Sequence, residues 1–171
     1  GITRYEVAPM VRVPWNDPAI IMKSLDAGAY GVICPMINSR EECEKFVGAC
    51  RYAPEGYRST GPVRAVFYSG PDYHVHASET ILTFAMIETQ EAVDNLDEIC
   101  SVDGLDAVYI GPSDLSVSLG GAPGGDQRAP EVMKRIEMTL KAAHHHGKKA
   151  GIHAMTAEYA NEMIEKGFDL V

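Results

Sequence analysis

The sequence predicts an α/β protein built on a parallel sheet, because short apolar segments alternate with helical segments along its 171 residues. Such alternation requires crossover connections, which give parallel strands covered by helices. Two architectures satisfy this pattern, a doubly wound sheet and a (β/α)8 TIM barrel. No GxGxxG motif follows any predicted strand, which argues against a dinucleotide-binding sheet. Six predicted strands joined by five helices favour an incomplete barrel.

Both ends of the sequence fall inside this repeating pattern. The chain enters a strand pattern within ten residues of Gly1, and it stops at 168–171, where another strand begins. We therefore expect residues 1–171 to form a single partial TIM-barrel domain with strands three to eight of the barrel. Two N-terminal β/α units and the C-terminal end would be missing.

The first part of the chain contains two strands and two helices, followed by an irregular stretch. Strands are predicted for 9–14 and 30–36, and helices for 19–27 and 39–52. Gly28 is placed to end the first helix, and Ser39 with Glu42 forms a capping box at the start of the second. Residues 53–77 are rich in Gly, Pro and Tyr, and irregular stretches of this length are usually functional or disordered.

The second part repeats the strand-and-helix unit three times before the last strand begins. Strands are predicted for 80–88, 105–110 and 149–154, and helices for 89–100, 130–147 and 156–166. Val132, Ile136 and Leu140 repeat at helical spacing and indicate the buried face of the longest helix. Gly167 is placed to end the last helix.

Composition and charge exclude several classes of function. The chain is 46% hydrophobic and 23% charged, which is typical of a soluble globular protein. A net charge of −9 argues against binding to nucleic acid or an anionic membrane. We recognise no signal-peptide pattern and no apolar run of about 18 residues or more, so we expect no membrane span. Four cysteines without a CxxC pair indicate a reduced, cytoplasmic protein.

Two successive strands each end on an acid, Glu88 and Asp114. Gly111 and Pro112 end the second of these strands, and Ser113 and Asp114 are placed as N-cap residues of a new helix. Neighbouring strands lie about 4.8 Å apart, so the two carboxylates would repel each other unless a cation lay between them. Oxygen ligands alone favour Mg²⁺ or Mn²⁺. The alternative is that each acid only stabilises the start of the following helix.

Arg12 and His153 also fall near the ends of predicted strands. Arg12 is placed either to bind a carboxylate or carbonyl oxygen or to lie exposed on an edge strand. Backbone N–H groups at the helix start near Ser113 suit an anion. His153 ends its strand on the pocket side, although packed or solvated histidines are more common.

The remaining histidines have weaker patterns. Residues 144–146 are consecutive histidines at the end of an amphipathic helix, where positive charge suits the helix dipole, and we do not predict a metal site there. His74 and His76 lie in the long irregular stretch and either line the pocket or have no role.

Five segments considered together resemble the HpcH/HpaI aldolase family, which comprises metal-dependent (class II) pyruvate aldolases. They are VRVPWND at 11–17, GVICPM at 31–36, RYAPEGYR at 51–58, IET at 87–89 and IGPSDLS at 110–116. The family includes relatives of 4-hydroxy-2-oxoheptanedioate aldolase and macrophomate synthase. The resemblance covers essentially the whole chain in order, and it implies a (β/α)8 barrel that is usually assembled as a homo-hexamer.

The resemblance also implies roles for individual residues. Glu88 and Asp114 match the metal-binding carboxylates, with Mg²⁺ or Mn²⁺ as the cofactor and Co²⁺ or Zn²⁺ as further possibilities. Arg12 matches the catalytic arginine that contacts the 2-keto acid. The segment that holds the pyruvate carboxylate matches Gly111, Pro112, Ser113 and Asp114. The implied reaction cleaves or forms a 4-hydroxy-2-oxo acid from pyruvate and an aldehyde, through an enolate stabilised by the metal and Arg12.

The sequence departs from the family pattern at three points. Met86 stands where some members have glutamine and His153 where an apolar residue is common, and both changes would alter substrate preference. The family's His/Asp dyad has no counterpart in residues 1–171, so the base that takes the 4-hydroxyl proton is expected outside them. Two alternatives stay open: oxaloacetate decarboxylation or another enolate reaction at the same site, and a non-catalytic fragment that contributes to an oligomer.

Overall fold

The computed structural model describes residues 7–171, and within them one five-stranded parallel sheet forms. The strands are β1 Met10–Arg12, β2 Gly31–Cys34, β3 Leu82–Ile87, β4 Ala107–Ile110 and β5 Lys149–Ile152. They pair in the order β1-β2-β3-β4-β5, so each strand lies beside the one before it. A doubly wound sheet reverses its strand order partway across, whereas a barrel wall does not. The predicted partial TIM barrel is therefore confirmed.

Nine helices lie within residues 7–171, and most of them connect successive strands. They are α1 Pro18–Asp26, α2 Arg40–Cys50, α3 Val66–Ser69, α4 Tyr73–Thr80, α5 Gln90–Asp94, α6 Leu96–Cys100, α7 Pro112–Ser118, α8 Pro130–His145 and α9 Ala157–Lys166. None of these helices is both long and apolar enough to cross a membrane.

The two faces of the sheet have different roles. Alternate strand residues belong to one buried cluster with the apolar faces of the helices, and they include Val32, Ile87, Val108 and Ile152, each with 0% exposure. Strand side chains alternate between faces, so the residues between them point to the opposite side. That opposite side, which is the barrel interior, is where a site can form at the carboxyl ends of the strands.

Several helix ends follow the sequence pattern. Ser39 caps α2 by accepting a hydrogen bond from the N–H of Glu42 at 3.2 Å. The Glu42 carboxylate reaches back to the N–H of Asn38 at 2.7 Å, one residue beyond the position that a standard capping box uses. Gly28 and Gly167 follow α1 and α9 with φ values of +103° and +104°, which glycine adopts without strain.

A buried arginine from the RYAPEGYR segment connects the chain segments at the amino ends of β3 and β4. The Arg51 guanidinium donates to the carbonyl of Ile81 at 2.8 Å and to that of Gly104 at 3.0 Å. It also pairs with Asp106 at 3.0 Å. These contacts join the connections that lead into β3 and β4, at the face of a barrel that serves stability.

The prediction of an irregular stretch at 53–77 is confirmed for 53–65 and wrong beyond it, because α3 and α4 follow. Tyr73 and Ala77, four residues apart, are the buried residues of α4, and the Tyr73 hydroxyl accepts from buried Arg58 at 2.9 Å. Helix α4 continues to Thr80, whose hydroxyl bonds to a helical carbonyl, so β3 begins at Leu82 rather than at residue 80. Tertiary contacts stabilise this helix, and the local pattern of apolar residues does not predict it.

Three other predicted boundaries need correction. The helix predicted for 89–100 breaks at Asn95, whose side chain donates to the carbonyl of Asn38 at 2.7 Å. Helix α7 begins at Pro112 with Gly111 as N-cap, since proline suits the first helical position, so Ser113 and Asp114 lie inside the first turn and are not N-caps. The sixth predicted strand is a single parallel bridge between Gly151 and Leu170.

Candidate active site

A cavity of about 400 Å³ opens at the carboxyl ends of the strands, where TIM-barrel enzymes place their chemistry. All five strands contribute to its wall, either directly or through the turn that follows. The lining residues are Arg12, Ile33, Met86, Tyr109, Gly111, Pro112, Ser113, Asp114 and His153. The structure thus brings six of the seven sequence-predicted site residues to one cavity. The seventh, Glu88, does not line the cavity but lies next to Gly111, which does.

Glu88 has a buried carboxylate, of which one oxygen is hydrogen-bonded and the other is not. Its exposed fraction is 1%, and Oε1 accepts a hydrogen bond from the backbone N–H of Met36 at 2.8 Å. Oε2 is buried and has no hydrogen-bond partner among the described residues. Buried polar atoms of proteins nearly always have a partner. Oε2 therefore keeps its lone pairs available to a water molecule or to a bound cation.

Gly111 allows the turn that carries Asp114 to approach Glu88 closely. A Cβ atom at position 111 would lie 2.7 Å from Oε2 of Glu88 and 2.7 Å from the terminal methyl of Met86. Both distances are too short for non-bonded atoms, so a side chain at this position would displace its neighbours. The glycine therefore keeps the space beside the carboxylate open, immediately before the turn that carries Asp114.

The surroundings of Glu88 act on its pKa in both directions. Burial raises the pKa of Glu88 above its ordinary value, and the negative charge of Asp114 raises it further. The Met36 N–H and the positive charge of Arg12 act in the opposite direction on the same pKa. A buried acid next to a second acid is costly in its ionised form, and a bound cation would relieve that cost.

Arg12 presents its charge to the cavity. The residue ends β1 and is exposed, and within the described residues its one hydrogen bond is a long contact of 3.5 Å to the carbonyl of Val13. A guanidinium that is not committed to a protein carboxylate is available to an anionic ligand. Arg12 therefore supplies positive charge to the cavity that Asp114 also lines.

The turn from Gly111 to Asp114 presents backbone donors. Helix α7 begins at Pro112, and the first N–H groups of a helix have no acceptor within it. The Ser113 hydroxyl accepts from the N–H of Gly124 at 3.1 Å, which ties this turn to the glycine-rich loop before α8. The N–H groups at Ser113 and Asp114 can therefore bind an anionic oxygen.

Two residues of the cavity wall were not predicted from the sequence. Ile33 and Tyr109 line it, and Met86, noted before only as a family departure, lines it as well. Strand periodicity offered a signal, since Tyr109 precedes Gly111 by two residues and Met86 precedes Glu88 by two. The contact from Met36 had no comparable signal, because it depends on a backbone conformation that methionine rarely adopts.

The other histidines lie away from the cavity. His74 and His76 are exposed on α4, and neither lines the cavity. His144 contacts Asp169 at 3.1 Å, and His146 contacts Asp97 at 3.1 Å. In the described part of the chain, no cluster of three or more His, Cys, Asp or Glu residues is arranged to hold a metal ion.

Comparison with known proteins identifies related families and folds. The family model for HpcH/HpaI aldolase/citrate lyase matches residues 2–170. The chain is 48% identical over 163 residues to the hydroxypyruvate/pyruvate aldolase of Rhizorhabdus wittichii. The aligned region covers 95% of this chain and 65% of that protein. It is 39% identical over 166 residues to the 5-keto-4-deoxy-D-glucarate aldolase of Citrobacter koseri, covering 96% of this chain and 64% of that protein.

A solved structure supports the same relationship. A HpcH/HpaI aldolase/citrate lyase family protein from Burkholderia cenocepacia superimposes with a TM-score of 0.86 at 30% identity. The match covers 95% of this chain and 65% of that one. The chain therefore spans about 65% of the length of the relatives that it matches.

Proposed function

Because the chain belongs to the HpcH/HpaI aldolase/citrate lyase family, we propose that it carries most of the active site of a divalent-metal-dependent pyruvate aldolase. The proposed reaction makes or breaks the carbon–carbon bond between C3 of a 2-keto acid and the carbonyl carbon of an aldehyde. Two relatives named as aldolases support the reaction class, and one of them is named for hydroxypyruvate and pyruvate. The two acids and the positive charge of Arg12 support metal dependence and a 2-keto acid substrate.

The unpartnered Oε2 of Glu88 is the observation that carries this proposal. It is buried beside Gly111, and the charge of Asp114 acts on the same carboxylate. Mg²⁺ and similar hard ions are commonly held by one or two carboxylates, with waters and substrate oxygens completing the coordination shell. The residues present fit such an ion, with Glu88 and Asp114 as its protein ligands. A divalent ion held there supplies Lewis acidity to the 2-keto group of the substrate.

The chain's own residues orient the substrate and receive its charge. The N–H groups at the start of α7 bind the substrate carboxylate. Arg12, which lines the same cavity, binds the oxygen at C2. In the cleavage direction the C3–C4 bond breaks, and its electron pair forms the C2–C3 double bond of pyruvate enolate. The 4-hydroxyl proton passes to a base, and C4 becomes the aldehyde carbonyl. Arg12 stabilises the negative charge that grows on the C2 oxygen.

An assay of pyruvate release, with chelator and metal add-back, tests this function. Because the base is expected outside residues 1–171, the assay uses a protein in which this chain is joined to the segment that carries the base. We expect that protein to cleave 4-hydroxy-2-oxo acids, with an activity that stops with EDTA and returns with Mg²⁺ or Mn²⁺. Glu88→Ala and Asp114→Ala should abolish the recovery, whereas Glu91→Ala should not, because Glu91 is an exposed acid in the first turn of α5. The Glu91 variant controls for the loss of a helix-stabilising acid.

The products distinguish the alternatives. Release of an aldehyde supports the aldolase, and release of CO₂ from oxaloacetate without aldehyde formation supports a decarboxylase at the same site. Full activity in the presence of chelator, or no turnover with either substrate class, contradicts the proposal. The homo-oligomeric assembly and the cytoplasmic location expected from the sequence stay predictions.

A further inference from the structure

Met36 has a backbone conformation that its side chain does not favour. Its φ is +55°, and within residues 7–171 it is the one non-glycine residue with a positive φ. L-residues other than glycine rarely occupy this region, and they persist there only where the surrounding structure requires it. The conformation directs the Met36 N–H to Oε1 of Glu88 at 2.8 Å.

The residues after Met36 tie the same loop to β3 and to the helices that follow it. Ile37 is fully buried, and its N–H points to the carbonyl of Met86 at 3.4 Å. Asn38 accepts from the Thr89 hydroxyl at 2.5 Å through its side chain, and from Asn95 at 2.7 Å through its backbone carbonyl. The loop between β2 and α2 therefore forms hydrogen bonds with Met86, before Glu88 in the sequence, and with Thr89, after it.

These contacts leave the two oxygens of Glu88 in different environments. Oε1 is fixed by a backbone donor that no side-chain motion can withdraw. Among residues 7–171 Oε2 has no hydrogen-bond partner, and it lies so close to Gly111, a residue of the cavity wall, that a Cβ there would be 2.7 Å away. A carboxylate fixed at one oxygen presents the other in a defined direction, which is what a preorganised ligand to a cation requires.

We propose that Met36 is a positioning residue, whose left-handed backbone holds Glu88 so that Oε2 is directed to the cation site. The inference rests on the proposed function, because it requires Glu88 to be a metal ligand. The essential feature is the backbone conformation at position 36, and the thioether side chain has no part in it. Substitutions that differ only in how well they tolerate a positive φ therefore test it.

Leucine and isoleucine form a matched pair for this test. The two side chains have the same composition, but isoleucine is branched at Cβ and is strongly disfavoured at positive φ. We expect Met36→Leu and Met36→Gly to bind Mn²⁺ with a Kd within about twofold of wild type, because both keep the N–H in place. Met36→Ile should bind Mn²⁺ at least tenfold more weakly. Calorimetric titration gives each Kd, and thermal unfolding of the same samples shows whether each variant is folded.

The outcomes separate this inference from the proposed function. Equal Kd values for Met36→Leu and Met36→Ile, with wild-type protein binding Mn²⁺, overturn the positioning role alone. Wild-type protein that binds no Mn²⁺ overturns both proposals. A measurement on the wild-type protein covers the case in which Met36→Ile does not fold: the Met36 amide resonance should shift when Mg²⁺ saturates the site. An unchanged resonance at saturation contradicts the inference.

Discussion

Gly111→Ala is the substitution whose effect can be worked out most directly from the structure. Position 111 has φ −100° and ψ 89°, so alanine meets no backbone strain there. The added methyl would lie 2.7 Å from Oε2 of Glu88, 2.7 Å from the methyl of Met86 and 3.1 Å from Cβ of Glu88. The Met86 methyl is the end of a flexible chain and can move away. Glu88 is held at Oε1 by the Met36 N–H, so its carboxylate can rotate only by giving up that bond.

The magnitude follows from these contacts. Relief of the collision requires a displacement of roughly half an ångström or more, given ordinary non-bonded contact distances. Overpacking of this kind costs about 1–3 kcal/mol of stability. Misplacement of a catalytic group by about 1 Å can lower the rate by roughly 10²-fold. We therefore expect kcat/KM for pyruvate release to fall by about 10- to 100-fold, with a smaller loss in the unfolding midpoint.

Two further variants make the prediction specific. Gly61→Ala is the matched control, because a Cβ there meets only the Ser59 hydroxyl at 3.4 Å, and it should leave activity and stability unchanged. Adding Met86→Ala to Gly111→Ala should not restore activity, because the collision with Glu88 remains. A Gly111→Ala protein with wild-type kcat/KM, or full rescue by Met86→Ala, would refute the reasoning.

Other predictions concern the core and the titrating groups. Burial raises the pKa of Cys43 to about 12, and all four cysteines are buried, so a thiol reagent should label the protein only after unfolding; rapid labelling of native protein would contradict this packing. Ile136→Ala, at a fully buried position in α8, should lower the free energy of unfolding by about 2–5 kcal/mol in denaturant titrations, whereas exposed Met138→Ala should change it little. Burial raises the pKa of Asp169, but hydrogen bonds from Lys149, the Ala150 N–H and His144 outweigh it and lower that pKa from 3.8 to about 2. The stabilisation from these contacts is therefore present above pH 4 and is lost as the pH falls through 2. For this partly solvent-screened group we expect Asp169→Asn to cost about 1 kcal/mol at pH 7 and to flatten the unfolding profile between pH 4 and pH 2; an unchanged profile would show that the contact is not stabilising.

The sheet and the two acids could be predicted because both depend on local patterns. Apolar segments of strand length that end at Glu88 and at Gly111 are visible in the sequence, and strand-helix alternation makes the strands parallel. Parallel strands bring their carboxyl ends to one edge, so the residues after them converge. The cavity that contains Arg12, Asp114 and His153 follows from this rule.

The parts that could not be predicted depend on contacts between residues far apart in the sequence. Helix α4 packs through Tyr73 against Arg58, and the helix after β3 breaks where Asn95 bonds to Asn38. The left-handed conformation of Met36 is a further case, since methionine at that position gives no sign of a positive φ. In each case tertiary structure overrides the local preference.

Equilibrium binding of Mn²⁺ tests the central claim most directly. Glu88 and Asp114 are proposed to hold one divalent ion, so titration of the wild-type protein should give a single site per chain. Glu88→Gln and Asp114→Asn should each weaken that site by at least tenfold while the unfolding midpoint shows a folded protein. Glu91→Gln should bind as wild type does, because Glu91 is exposed. Binding of Mn²⁺ that is equally tight in the Glu88→Gln and wild-type proteins would contradict the account.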